Sequence, residues 1–486
     1  MIVHRQSYPS PRRTQRKYKE YVCVVRGFVF AALLLLACTL AAADLIRIPS
    51  ETSTLPNGLT VVLAPDHTTP TVAVDVWYHV GSKNEVRGRT GFAHLFEHMM
   101  FTGSGHVPYG LQDKLTEGIG GGNNASTWND HTNYFDTVPS NYLESALWIE
   151  ADRMGFLLDA FDHAKLNAQR DVVINERRQR QDNAPYGAVY EILNRTTYPP
   201  SHPYSWDVIG SVADLQAASD EDVKAFFRQY YAPNNAVLAI AGDFDPAQAK
   251  AWVAKYFGGI SRGKAIMRPA AAPVALGDVR RLVYEDRVQV PRLYVQWPAV
   301  GEKSDDRFAL DVLGSILAGR RTARLTKALV YDQQAAANVS AGQDSNEDAG
   351  QFILSITPRP GHSLTDLETA ADAIIARLKA DGPTQEEVRR ATAGTELDFL
   401  RGLESNLGKA EQLAQGVGYH GGAGYFRTEY EKSRSVTQAD VKRVANQYLT
   451  TGRVILSVVP AGHVDQAAKP ADSRNVTAEQ HTFAGQ

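Results

Sequence analysis

Asp222-Val-Lys-Ala-Phe-Phe-Arg-Gln-Tyr230 returns 218 residues later as Asp440-Val-Lys-Arg-Val-Ala-Asn-Gln-Tyr448. At the same offset, Ala236-Val-Leu-Ala-Ile-Ala-Gly242 matches Val454-Ile-Leu-Ser-Val-Val-Pro460. Each pair reads as an amphipathic helix, a short loop and a buried strand. A repeat of this length means that one structural plan is used twice. The starts agree as well. Val72-Ala-Val-Asp-Val-Trp-Tyr-His-Val-Gly81 and Arg292-Leu-Tyr-Val-Gln-Trp-Pro-Ala-Val-Gly301 both read as strands ending in glycine, each followed by a loop and a helix, at Phe92 and at Phe308. The chain therefore reads as α+β, with a first half over 44–261, a linker over 262–280, a second half over 281–462, and a polar tail over 463–486 that is expected to be loose.

The first 43 residues differ from the rest. Seven basic residues between Arg5 and Arg26 face one acid, Glu20, and an apolar run from Gly27 ends in Ala41-Ala42-Ala43. This is the pattern of a secretory signal peptide, and it predicts export to the periplasm. Two alternatives keep the protein at the membrane: an uncleaved anchor, or lipid on Cys38. Cys23 and Cys38, the only two cysteines, both lie in this leader, so cleavage after Ala43 leaves a mature chain that cannot form disulfides. A formal charge of -3 gives no sign of nucleic-acid binding.

His94-Leu-Phe-Glu-His98 lies in the helix expected at Phe92. His94, Glu97 and His98 project from one helical face, so two imidazoles can share one zinc ion. The carboxylate between them can reach a water in the open coordination position. In the matching helix of the second half the same places hold Leu310, Leu313 and Gly314. A third ligand is required, and spacing alone does not choose between Glu150, Glu176 and Glu191.

The segments Gly91-Phe-Ala-His-Leu-Phe-Glu-His-Met-Met-Phe-Thr-Gly103, Gly122-Asn-Asn-Ala-Ser-Thr-Trp-Asn-Asp-His-Thr-Asn-Tyr134 and Arg170-Asp-Val-Val-Ile-Asn-Glu176 resemble the pitrilysin (insulinase) family of zinc peptidases, which includes the mitochondrial processing peptidase. The resemblance runs from about Asp44 to Gly462. It implies two tandem halves, each a mostly antiparallel sheet with packed helices, closing as a clamshell. It also implies His94, His98 and Glu176 as ligands of one zinc per chain, and Glu97 as general base in peptide hydrolysis. Asn124 and Ala125 match an edge strand that pairs with the substrate backbone. Gln169 stands where relatives often have an acid, two turns before the glutamate ligand.

In complete single-chain relatives the second half supplies an arginine and a tyrosine to the substrate. Here the tyrosine position falls on Ala337, and Arg324 reads as a residue that packs the fold. The expected partner is therefore a related subunit that lacks the zinc motif and supplies the missing pair, with a homodimer as the other arrangement. Tyr331 or Asn338 is the local alternative. A non-catalytic scaffold subunit of the same fold is the rival reading.

Overall fold

The computed structural model describes residues 46–268 and 271–478. The chain divides into two compact units, Met1–Pro49 and Ser50–Gln486. Of the first, only 46–49 are described, and they form neither helix nor strand; the signal-peptide segment 1–43 and Cys38 lie outside the described residues.

The second unit holds two six-stranded sheets. The first contains β1 (Glu51–Thr54), β2 (Thr60–Pro65), β3 (Thr71–Tyr78), β4 (Gly122–Thr127), β5 (Thr132–Pro139) and β6 (Ala236–Gly242), in the order β1-β2-β6-β3-β5-β4. The second contains β7 (Val279–Asp286), β8 (Arg292–Ala299), β9 (Ala336–Ser345), β10 (Gly350–Pro358), β11 (Arg453–Pro460) and β12 (Arg474–Val476), in the order β12-β7-β11-β8-β10-β9. Both are mostly antiparallel, and in each a parallel pair joins the repeated late strand to an early one, β6 to β2 and β11 to β7. The helices that position the site and join the halves are α1 (Phe92–Met99), α2 (His163–Arg177), α3 (Val189–Thr197), α4 (Asp220–Tyr230), α5 (Asp306–Leu317), α6 (Gln385–Gly402), α7 (Asn406–His420) and α8 (Gln438–Tyr448).

The repeated segments form matching elements for local reasons. α4 and α8 each start in a capping box, Ser219 with Asp222 and Thr437 with Asp440, which satisfies backbone donors at both helix starts. The strands that follow them, β6 and β11, are buried almost throughout.

The strands bury two faces. Leu293, Val295 and Trp297 of β8 and Ile455 of β11 pack under the second half's own helices. Their alternating neighbours Tyr294, Val454, Leu456 and Val458 pack instead against Val189, Ile192 and Leu193 of α3, which belongs to the first half. The exchange is reciprocal: α7, from the second half, lies on β3 and β6. It comes so close that a Cβ on Gly418 would stand 2.4 Å from the Trp77 ring. Each half thus covers one face of the other's sheet.

The tail departs from expectation. Ala467 and Ala468 are buried, and β12 pairs in parallel with β7, so residues 463–478 are docked rather than loose, while 479–486 lie outside the described residues. β12 takes the place that β1 holds in the first sheet, although it comes from the other end of the chain. No helix among the described residues is long and apolar enough to cross a membrane.

Candidate active site

α1 begins at Gly91, whose φ of 87° lies in the left-handed region and which offers no capping side chain. Glu85 takes over that task from six residues upstream. Its buried carboxylate accepts from the Gly91 N–H at 2.9 Å and the Ala93 N–H at 2.8 Å. Burial holds its pKa well above the usual carboxylate range, and the backbone donors oppose that shift. On the apolar side of α1, Phe96 meets the rings of Phe226, Phe227 and Tyr231, and the Tyr231 hydroxyl donates to the Ala93 carbonyl at 3.3 Å. The helix is thereby held at its start and along one face, with its polar face presented to α2.

That face carries His94, Glu97 and His98. Glu176, near the end of α2, brings Oε2 to 3.1 Å from His98 Nε2 and 3.7 Å from His94 Nε2. One ligand atom from each of the three side chains fits within 4.8 Å of the others, the one such group among the described residues. Two imidazole nitrogens and a carboxylate oxygen are the donor set of a catalytic zinc, three protein ligands with a place left over. Burial, then His98 and Arg180, drive the His94 pKa down to about 3, so its imidazole is neutral, the form that binds a metal. Its Nδ1 is buried without a hydrogen-bond partner among the described residues.

Of the alternatives that spacing left open, Glu150 is bound to Arg153 and Glu191 to Arg177, at 2.8 Å and 2.6 Å. Glu176 alone of the three stands with the histidines. Its other oxygen accepts from Arg180, one helical turn on, at 2.6 Å. The Glu176–Arg180 spacing was available in the sequence but carries little signal, because such pairs are common on helix surfaces.

Glu97 is partly buried, and burial raises its pKa above the ordinary value. The neighbouring Thr127, at the end of β4, opposes that shift, with His98 next. A carboxylate in this setting takes up a proton more readily near neutral pH than one in water. β4 runs beside α1 as the outer strand of its sheet, so Asn124 and Ala125 do sit on an edge, Asn124 exposed and Ala125 nearly buried. Gln169 is half-buried on α2. Neither Glu85 nor Thr127 had a sequence signal, since each acts through a fold contact.

In the second half, Arg324 is paired with Glu387 at 2.7 and 2.8 Å and donates to the Gly382 carbonyl at 3.0 Å, a packing role. Ala337 and Asn338 are exposed on β9, and Tyr331 is exposed beneath Arg321.

Residues 60–202 match the family model described as insulinase (peptidase family M16), and residues 217–394 match that of the M16 inactive domain. A zinc protease, PqqE, of Helicobacter pylori is 32% identical over 408 residues, covering 82% of this chain and 90% of its own. The crystal structure of a protease from Helicobacter pylori superposes with a TM-score of 0.80 at 30% identity, covering 85% of this chain and all of that one. A probable mitochondrial-processing peptidase subunit beta of Arabidopsis thaliana is 23% identical over 84% of this chain and 78% of its own. With its two tandem halves, its paired six-stranded sheets and these relatives, the chain belongs to the M16, or insulinase, family of peptidases.

Proposed function

We propose that the chain is a zinc-dependent endopeptidase that hydrolyses peptides or unfolded polypeptides. The carrying observation is the meeting of His94, His98 and Glu176 within 4.8 Å, beside Glu97. These three side chains would hold the zinc, one per chain, and the bound ion would supply polarisation of the scissile carbonyl and of the attacking water. Glu97 takes the proton from that water and returns it to the leaving amine; its raised pKa suits both tasks. Glu85 and Tyr231 hold α1 in register, and Arg180 holds Glu176. The edge of β4 at Asn124 and Ala125 receives the substrate as an added strand, so backbone hydrogen bonds give affinity with little demand on side chains. The test is Glu97→Gln: zinc content is kept and hydrolysis is lost. Normal turnover by that variant would remove Glu97 from the mechanism, and a metal-free wild-type protein would favour the scaffold reading.

The active species is an assembly with a related subunit that lacks the zinc motif. Two features favour it: Ala337 stands where a tyrosine is needed, and Arg324 is held by Glu387. Assay of the purified chain over a concentration series decides this. Full, concentration-independent activity means that one chain suffices. The leader assigns the mature protein to the periplasm, starting near Asp44, and amino-terminal sequencing of the exported protein checks that start.

A further inference from the structure

A cavity of about 1100 Å³ opens where the two halves meet, away from the histidines. α3 walls it on the first-half side, β7 and β12 on the other. Six arginines and three carboxylates line it. Each carboxylate already has partners: Glu191 holds Arg177 at 2.6 Å, Asp207 accepts from Gln181 at 2.8 Å, and Asp214 accepts from the Thr90 hydroxyl at 2.6 Å. Two of the arginines are likewise committed, Arg177 to Glu191 and Arg281 to Glu368 at 2.6 Å. The others are not. The side chains of Arg87 and Arg474 make no hydrogen bond or ion pair among the described residues, and Arg280 donates only to the Thr196 carbonyl. Arg195 donates to the Thr477 carbonyl and lies 3.8 Å from Glu191.

Several guanidinium groups without carboxylates of their own, drawn from the first half, the second half and the tail strand, give one recess a surplus of positive charge. Like charges gathered in this way repel each other, and a concave wall focuses their field. Planar guanidinium forks suit the oxygens of phosphate groups better than any point charge does. Trp206, half-buried with its Nε1 fixed on the Ser82 carbonyl at 3.0 Å, supplies an apolar surface in the same wall. The volume is just above the range usual for small-molecule sites, so it has room for one such ligand with water around it.

We propose that this recess is a binding site for a small organic phosphate carrying at least two negative charges, with its anionic groups on Arg87, Arg280 and Arg474 and its carbon skeleton against Trp206. The site is separate from the zinc centre and does not depend on the chain being a peptidase. The ligand bridges β7 and β12 to the first half, so it binds the joint and not one half alone.

The experiment is titration calorimetry on the metal-loaded chain at fixed ionic strength, with fructose 1,6-bisphosphate as probe and inorganic sulfate as the comparison. The expected result is saturable binding of the bisphosphate, weakened by about tenfold or more in the double variant Arg280→Ser/Arg474→Ser. Both residues are exposed on strands, so the variant keeps the fold, which circular dichroism and an unchanged zinc content verify. Arg389→Ser, on the exposed face of α6 and paired there with Glu386, is the control and leaves binding unchanged. Sulfate binding as tightly as the bisphosphate would reassign the site to inorganic anions and overturn the role of Trp206. Absence of saturable binding, equal binding by the double variant, or equal weakening by the control would overturn the site itself.

Discussion

α1 and α5 occupy the same place in the two halves, each lying in the chain between the fourth strand of its sheet's order, β3 or β8, and the outer hairpin strand, β4 or β9, and they use it in opposite ways. α5 buries its whole inner face: Leu310 and Leu313 are fully enclosed, and a Cβ on Gly314 would stand 3.0 Å from the Gly342 Cα of β9. α6, packed against it, buries Val388, Ala391 and Gly394. α1 turns His94, Glu97 and His98 to the same side, where α2 and the turn after it bring Glu176 and Arg180 to meet them. The backbone plan is shared and the side chains differ. An apolar face is stable by contact alone, whereas a face of imidazoles and carboxylates requires a cation and firm support from outside. That support is visible in Glu85, which caps α1 from a distance, while Asp305 at the start of α5 makes no side-chain cap.

The contrast can be broken most directly at the metal. His94→Ala is expected to take zinc from one per chain to none and to abolish hydrolysis, read by atomic absorption and peptide cleavage. Glu97→Gln keeps the zinc and lowers turnover by about 10²–10⁴-fold, the range for loss of a general base.

Stability separates the halves next. Leu313→Ala in α5 is expected to cost about 2–5 kcal/mol in denaturant unfolding, as for a buried leucine left with a cavity. Glu97→Ala, at the matching position of α1, removes a carboxylate that burial disfavours and costs less than about 1 kcal/mol. Equal losses would mean that the α1 face is ordinary core.

The caps sharpen the comparison further. Glu85→Ala leaves two buried N–H groups without their acceptor and is expected to cost about 1–3 kcal/mol, with weakened zinc retention. Asp305→Ala stays within about 0.5 kcal/mol, since Asp305 is exposed and caps nothing through its side chain.

The smallest effect concerns pH. The Arg324 guanidinium holds the Glu387 carboxyl down at about 2, against an ordinary value of 4.5. A depressed carboxylate contributes stability above its unfolded value and loses that contribution as pH falls through its folded one. Wild type therefore loses a small increment between about pH 4.5 and 2, and Arg324→Gln flattens unfolding curves in that window while leaving peptide hydrolysis unchanged. A loss of hydrolysis in that variant would return Arg324 to the substrate.

Much of this was legible in the chain. The repeat located β6 and β11 with the helices before them, because helix and buried-strand patterns are local periodicities. The three polar residues of α1 were placed on one face by helical spacing, with their apolar counterparts in α5 as a reference. Three features were not legible in spacing or side-chain pattern. The choice of Glu176 over Glu150 and Glu191, which only the family resemblance named, depends on where two helices cross. The tail was expected to be loose, yet β12 is held by backbone pairing to β7, which leaves no mark in side-chain pattern. The exchange of α3 and α7 between the halves was equally hidden, since an apolar helix face reads the same whichever sheet it covers.

The sequence by itself determined the repeat, the two α+β halves and the histidine–glutamate face of α1, because each follows from spacing along a single element. Only the tertiary structure decided which residue caps their helix, which half covers which sheet and, beyond the family resemblance, which carboxylate meets the histidines. Those contacts join residues far apart in the chain, and their partners are selected by packing geometry rather than by any local pattern.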